Sequence, residues 1–235
     1  LFGNITKFDT FKKNLIQENF KDAIEVIEQN SEKEIISKEI YFKSAKIANS
    51  FLNNSYTRKY FQFSPEDNIE FLTAFPVYFI YKNVRCKALI DFLHINHNSK
   101  SIMINDLKTT FQQSSKFVEE IFKHKYYIQG AFYVEAINYW KKYIKPEYKD
   151  YTIEGFRFFV DSTTSPGSPL IYSLNHNDLE FGKFGGTSGL SHGYKKIYGF
   201  DELFEDLKWH KENDLWDYTR NQYENKLIMP LNFEN

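Results

Sequence analysis

The chain has 235 residues, a formal net charge of -1, 42% hydrophobic residues and 26% charged residues. This composition is typical of a globular protein and excludes wholesale disorder, while the single cysteine excludes an internal disulfide and a four-cysteine metal cluster. No run approaches roughly eighteen apolar residues, and the first residues lack the order of a signal peptide, so we expect an intracellular chain with no membrane partner. The near-neutral charge does not favour a nucleic-acid partner. Support for such a partner would have to come from a local positive patch.

Helical spacing of apolar residues dominates the first part of the chain. It predicts one helix over residues 8–29 and a second that begins at the capping-box pair Ser31 and Glu34 and ends at Asn53. From Glu70 the apolar period changes to two, which predicts an antiparallel meander. Its three strands are expected over residues 70–81, 84–95 and 101–108, with turns at residues 82–83 and 97–100.

The rest of the chain predicts a long helix, two strands and a last helix. The long helix runs from Ser114 or Ser115 to about Tyr143, the strands cover residues 154–161 and 170–174, and the last helix covers residues 201–213. Glycines between residues 182 and 193 predict a flexible connection. Together the elements predict a single α/β domain over residues 1–235. A mixed sheet flanked by helices is expected in residues 68–182, with helical additions in residues 1–60 and 183–235.

Charged side chains follow two apolar strand segments that a tight turn joins. Asp91 ends one segment, and Asp106 and Lys108 end the next on one face of their strand, because side chains alternate. Two carboxylates and an ammonium are thereby expected to converge, and such oxygen ligands suit Mg²⁺ or Mn²⁺. With a lysine to orient or deprotonate water, this is the equipment for phosphodiester hydrolysis. The competing interpretation is an exposed Asp106–Lys108 ion pair worth at most about 1 kcal/mol.

These residues belong to a longer pattern. An Asp ends one strand, the DLK of residues 106–108 ends the next, and a helix carries Gln129 and Tyr133 four residues apart. The pattern resembles the PD-(D/E)XK nuclease superfamily, whose core is restriction-endonuclease-like. Within it the chain is most similar to the RecB-like branch, and in particular to the RecE-like, or exonuclease VIII, phage recombination nucleases. The resemblance covers about residues 42–182.

The resemblance implies a catalytic centre made of two carboxylates, one backbone carbonyl and one lysine, with Mg²⁺ or Mn²⁺ as the cofactor. This set is Asp91, Asp106, the Leu107 carbonyl and Lys108, of which the lysine is catalytic and the others bind the metal. It also implies three side chains that position the substrate strand, which are Gln129, Tyr133 and Thr109.

The chain departs from the family at a position that bears on the site. RecB-like nucleases commonly carry a histidine in an N-terminal helix, whereas this chain has no histidine before His94. Either that helix is missing or Glu70 does the corresponding work as a further metal ligand. A second departure is Asn105, which stands where an acid often precedes the Asp of DLK.

The resemblance further implies an exonuclease that acts on the ends of linear duplex DNA, in the cytoplasm of a bacterial host and encoded by a phage or prophage. It implies a single-strand annealing recombination protein as a partner and a homo-oligomer that encloses DNA. Two alternatives remain. One is an endonuclease with the same site, and the other is a catalytically inactive DNA-binding or structural module of a larger assembly.

Other features have plainer interpretations. Lysines outnumber acids along the central helix and predict a positive groove, although a solvated mixed-charge helix fits equally well. His94 and His97 are expected to be turn residues, and Cys86 a core residue. The acidic run from Asp201 to Asp206 is expected to lie away from DNA or to contact a partner.

Overall fold

The computed structural model describes residues 36–190 and 193–228 of the chain. The chain divides into two compact units, residues 1–44 and 45–235. The helix expected over residues 8–29 and the capping pair of residues 31 and 34 lie outside the described residues. Within the described ranges, no helix combines the length and the apolar character that crossing a membrane requires.

The elements follow in chain order as a helix, three strands, two helices, two strands, a helix, a hairpin and two helices. Helix α1 (Lys38–Asn53) precedes strands β1 (Ile69–Tyr81), β2 (Val84–Asn96) and β3 (Ser101–Thr110). Helices α2 (Phe117–Lys123) and α3 (Tyr126–Tyr139) lead to β4 (Thr152–Ser162) and β5 (Leu170–Leu174). Helix α4 (His176–Phe184), strands β6 (Gly186–Leu190) and β7 (Gly193–Ile197), and helices α5 (Phe200–Asn213) and α6 (Arg220–Glu224) follow.

Strands β1 to β5 form one sheet in sequence order. Every neighbouring pair is antiparallel except β3 and β4, which are parallel. A parallel pair needs a crossover, and α2 and α3 supply it. The predicted class, an α/β fold with a mixed sheet flanked by helices and with helical additions, is confirmed. The arrangement is consistent with a restriction-endonuclease-like core.

The central strands β3 and β4 are buried on both faces, whereas one face of the β1–β2 hairpin is partly exposed. The larger apolar cluster packs sheet residues such as Ile90 and Ile104 against Ile137 of α3. On the other face, Phe92 and Phe159 pack against the second half of α1, and the cluster is completed by Ile47 and Phe51. Burial on both faces explains why the strands contain near-continuous apolar runs.

The predicted meander is confirmed and the predicted long helix is wrong. Lys82 and Asn83 both adopt positive φ, as a two-residue hairpin turn requires. The helix expected up to Tyr143 breaks at Lys125, whose φ is 56°, and α3 starts at the next residue. A turn of π-helix follows α3, so the crossover is two helices with different directions instead of one rod.

Two elements near the C-terminus were not predicted. Helix α4 begins at a reciprocal capping box between Asn175 and Asp178. It crosses α3 so closely that a Cβ added to Gly182 would lie 2.2 Å from the Tyr127 carbonyl oxygen. The glycine-rich segment that follows is an antiparallel hairpin of β6 and β7 and not a flexible connection.

His94 is not a turn residue as predicted, because β2 continues through it and the residue is buried. Its Nε2 lies 2.9 Å from the Tyr60 carbonyl oxygen, and its ring packs against Phe63 and Phe71. His97 does lie in the turn, with Nδ1 2.9 Å from the Tyr151 hydroxyl. Burial lowers the pKa of His94 to about 4, with the Tyr60 hydrogen bond opposing this shift.

We expect His94 to make the fold acid-sensitive. Its pKa is about 6.5 when unfolded, so below that pH the unfolded state binds a proton that the folded state does not. The stability is therefore complete above pH 6.5 and falls as the pH drops towards 4. At about 1.4 kcal/mol per pKa unit, the loss between pH 7.5 and pH 4.5 is about 2–3 kcal/mol.

Urea unfolding of the wild type and His94→Gln at the two pH values measures this loss. The glutamine retains an amide donor for the Tyr60 carbonyl but cannot titrate. Its unfolding free energy is expected to fall less than that of the wild type over the same interval. An equal fall in both proteins would assign the acid sensitivity to other groups.

Candidate active site

Strands β2 and β3 separate at the predicted carboxylates. Their last paired residues are Phe92 and Asn105, so Asp91 and Asp106 occupy the next position, where the strands diverge. Although the strands no longer pair there, the Leu107 N–H donates a 2.7 Å hydrogen bond to Asp91 Oδ2. The structure therefore brings the two carboxylates to the floor of an open fork between β2 and β3.

Asp106 is almost completely buried at this fork, with 2% of its surface exposed. Burial raises the pKa of its carboxyl, the positive charge of Lys108 opposes this shift, and the negative charge of Asp91 adds to it. The Oδ1 atom accepts a 2.7 Å hydrogen bond from Gln129 Nε2. The Oδ2 atom is contacted by the Lys108 ammonium. Both oxygens of the carboxylate thus have a partner at the fork.

Lys108 stands on the same face of β3 as Asp106, as the alternation of side chains predicted. Its Nζ forms an ion pair with Asp106 Oδ2, and 18% of the side chain is exposed. Nζ also lies 4.8 Å from the ring centroid of Tyr126, the first residue of α3. The carboxylate and the aromatic face together hold the ammonium at the fork, with a part of it open to solvent.

Helix α3 holds both arms of the fork through two residues one turn apart. Gln129 bonds Asp106 on β3, and the Tyr133 hydroxyl donates a 2.9 Å hydrogen bond to the Leu89 carbonyl on β2. The sequence placed Gln129 and Tyr133 on one helical face, and the structure shows that this face covers the site. These contacts fix the spacing between Asp91 and Asp106.

The donor set at the fork fits a hard divalent cation. The N–H and C=O of one residue in an extended strand point to the same side, so the Leu107 carbonyl faces Asp91 as its N–H does. Two carboxylates and one carbonyl suit Mg²⁺, which takes one or two carboxylates and keeps several waters. The described residues contain no group of three or more His, Cys, Asp or Glu side chains placed to hold a metal. Water and substrate oxygens would have to complete the coordination.

Two predicted site residues lie elsewhere. Glu70 pairs with Ile95, four residues along β2 from Asp91, which is about 13 Å at the rise of a strand. Its Oε2 accepts a 2.9 Å hydrogen bond from the Tyr148 hydroxyl instead. Thr109 is exposed and alternates to the opposite face of β3 from Lys108. The structure does not bring Glu70 or Thr109 to the fork.

A strained residue lies directly across from Asp91. Thr73 pairs with Phe92 and Phe75 with Ile90, so Ala74 is opposite Asp91, and its φ is 47°. In both β1 and β2 the alternation of buried and exposed side chains is interrupted at this point. In β2 the large cluster contains Ala88 and Ile90 and then Leu93 and Ile95, so strict alternation breaks between Ile90 and Leu93. The left-handed Ala74 and the break in alternation therefore coincide with the position at which β2 and β3 stop pairing.

We expect Ala74→Gly to stabilise the protein. A residue with a Cβ pays about 1 kcal/mol to adopt the left-handed conformation that glycine adopts freely. For a chain of this length the gain is about 2–4 °C in the midpoint of thermal unfolding. Differential scanning calorimetry measures it, with Ala88→Gly, in a regular part of β2, as the control that is expected to lose stability.

The contacts of charged side chains bear on two other predictions, the positive groove and the position of the acidic run. The lysines do not form one stripe, since the Lys141 ammonium bonds the Tyr151 carbonyl and Lys145 pairs with Glu147. The acidic run at the start of α5 contacts the far end of the β1–β2 hairpin, where Lys82 lies 2.9 Å from Glu205 and 3.4 Å from Asp201. These contacts engage two of the lysines counted for the groove and place the acidic run at the hairpin end, and the choice between a positive groove and a solvated mixed-charge helix stays open.

Sequence reasoning missed Tyr126 and Phe111. Tyr126 reaches Lys108 only because the helix breaks at Lys125. Neither a glycine nor a proline stands there to predict the break. Phe111 follows β3 and is 84% exposed. Its place directly after Thr109 and Thr110 was visible in the sequence, but its exposure was not.

Comparisons with known proteins leave the activity open. No protein-family model matches the chain, and neither does any curated protein. Among solved structures, a candidate exonuclease from Eubacterium rectale aligns over 94% of this chain and 69% of its own, with 13% identity and a TM-score of 0.45. The protein SSO0001 aligns over 92% of this chain and 75% of its own, with 11% identity and a TM-score of 0.34. Similarities this low assign no activity.

Proposed function

We propose that the chain is a metal-dependent deoxyribonuclease that hydrolyses phosphodiester bonds at the fork between β2 and β3. One observation carries the proposal. Asp91, Asp106 and Lys108 converge where two strands separate, with the Lys108 ammonium against the buried Asp106 Oδ2. One ammonium balances only one of the two carboxylates, and a divalent cation would offset the remaining negative charge.

The two carboxylates and the Leu107 carbonyl would hold Mg²⁺ or Mn²⁺ at the fork. When bound, the ion would supply Lewis-acid polarisation of the phosphoryl group and favour deprotonation of the attacking water. Gln129 keeps the Asp106 carboxylate in one orientation through its hydrogen bond to Oδ1. Asp91 is kept in place by the Leu107 N–H.

Lys108 has the position of a group that handles the water and the charge of the transition state. Its ammonium lies against Asp106 and remains partly open to solvent, so an incoming phosphate can contact it. From this position Lys108 would be able to turn towards the scissile phosphate. There it would orient the attacking water and balance the negative charge that develops on the phosphoryl oxygens.

The finer assignment rests on the resemblance of the DLK strand and of the Gln129–Tyr133 helix to RecE-like nucleases. On that basis we propose an exonuclease that acts on the ends of linear duplex DNA in phage-type recombination. A single-strand annealing protein and further copies of the chain are its proposed partners. The bacterial cytoplasm is its proposed location.

Cleavage of an end-labelled linear duplex and of a closed circular plasmid tests the proposal. With Mg²⁺, the linear substrate is expected to be degraded from its ends while the circle stays intact, and EDTA is expected to stop the reaction. Nicking of the circle would establish an endonuclease with the same site. Failure of folded protein to cleave either substrate with Mg²⁺ or Mn²⁺ would overturn the proposal in favour of a binding module.

A further inference from the structure

A polar cavity lies beyond the fork, at the end of the strand that carries Asp106 and Lys108. Its volume is about 350 Å³, and it is lined by five serines, a glutamine and one leucine. The residues are Gln113, Ser114, Ser115, Ser162, Ser165, Ser168 and Leu170. None of these lining residues is charged, so the cavity offers neutral hydrogen-bond donors to whatever enters it.

One buried hydroxyl of the cavity has no partner among the described residues. The Ser162 hydroxyl already has partners, because its Oγ lies 3.0 Å from the Thr164 hydroxyl and accepts a hydrogen bond from the Ser165 N–H. Ser114 is 4% exposed, and in the described part of the chain its Oγ has no hydrogen-bond partner. A buried hydroxyl without a partner costs about 1–3 kcal/mol, which a ligand or an ordered water would recover.

An exposed aromatic side chain stands between the fork and the cavity. Phe111 is 84% exposed, although the backbone around it is fixed. The Thr164 hydroxyl donates a 2.9 Å hydrogen bond to the Phe111 carbonyl, and the Thr163 N–H donates a 2.8 Å bond to the Thr110 carbonyl. A rigid backbone that presents an aromatic ring to solvent is a platform on which a base can stack.

The sheet topology places Phe111 and the serine cavity in succession beyond the fork. Thr110 and Ser162 are the last residues of the parallel strands β3 and β4 and pair with each other. Ligands of open α/β sheets bind beyond the carboxyl ends of such strands. Thr110 is four residues from Asp106, or about 13 Å, which equals about four base steps at 3.4 Å each. A strand bound at the fork would pass Phe111 and reach the cavity within a few nucleotides.

We propose that this region is a second DNA subsite, in which Phe111 stacks on a base and the serine cavity binds the phosphodiester a few nucleotides from the scissile bond. The inference rests on the proposed nuclease function. Serine hydroxyls and glutamine amides are common partners of DNA phosphates, and a phosphodiester carries a single charge that neutral donors can satisfy.

Fluorescence anisotropy with a labelled 20-nucleotide single strand in EDTA measures binding without cleavage. We expect Phe111→Ala to weaken binding by about 5- to 100-fold. The double variant Ser165→Ala and Ser168→Ala, whose side chains are exposed, is expected to weaken it by about 3- to 30-fold. Phe184→Ala, which removes another exposed ring at the end of α4, is the matched control and is expected to bind like the wild type.

A set of strands that carry one neutral methylphosphonate each identifies the phosphate. The wild type is expected to lose affinity at one or two positions, and the serine variant is expected to be insensitive at those positions. If the wild type binds DNA and both variants bind equally well, the subsite is refuted while the nuclease proposal stands. If the wild type binds no single strand, the subsite is refuted as well, and the duplex cleavage assay decides the nuclease proposal separately.

Discussion

Replacing Lys108 with alanine is expected to lower the rate of DNA cleavage by about 10²- to 10⁴-fold. The ammonium is the only cation that contacts Asp106 among the described residues, and it lies on the open side of the fork. Its loss removes the group that would orient the attacking water and balance the charge of the transition state. Metal binding should persist, because both carboxylates remain.

Single-turnover cleavage of a linear duplex at saturating Mg²⁺ isolates this effect from DNA binding. Lys211→Ala removes an exposed lysine from α5 and serves as the matched control, with wild-type rates expected. Full activity of Lys108→Ala would assign the ammonium a structural role and remove it from the proposed chemistry.

Asp106→Asn is expected to lower the rate of cleavage by about 10³-fold or more. At the same time it is expected to stabilise the protein in the absence of metal. Burial raises the pKa of the Asp106 carboxyl, which means that the fold at neutral pH carries a charge that its surroundings disfavour. Asparagine preserves the shape and can accept the Gln129 hydrogen bond. Because burial disfavours the charge even with Lys108 beside it, removing the charge should raise the thermal midpoint of the metal-free protein.

Thermal unfolding with and without Mg²⁺ separates the two effects. In the wild type Mg²⁺ should raise the midpoint, because a ligand at about 100 times its dissociation constant adds about 2.7 kcal/mol. In Asp106→Asn the midpoint should start higher and respond little to Mg²⁺. A variant that is less stable than the metal-free wild type would show that the carboxylate stabilises the fold.

The hairpins and the convergence of charges could be predicted because both depend on local signals. The period-two pattern, the Lys82–Asn83 turn and the alternation of Asp106 and Lys108 each act within a few residues. Register then follows, since a strand that slips by one residue turns its apolar side chains to the wrong face. The sequence therefore located the fork and three of its side chains.

The other features of the site depend on contacts between residues distant in the sequence. The helix break at Lys125 is not marked by a glycine or a proline in the sequence. This break places Tyr126 against Lys108. Glu70 has the right chemistry for a metal ligand, but the β1–β2 register moves it along the sheet to Tyr148. The left-handed Ala74 lies opposite Asp91, and no propensity scale predicts an alanine in that conformation.

Titration with Mn²⁺, followed by electron paramagnetic resonance, tests the metal centre at the fork most directly. The samples are the wild type, Asp91→Asn, Asp106→Asn and, as a control carboxylate outside the fork, Glu70→Gln. We predict one saturable site in the wild type and in Glu70→Gln, and at least about tenfold weaker binding in the two aspartate variants. Absence of a site in the wild type, or wild-type binding by Asp106→Asn, would contradict the account.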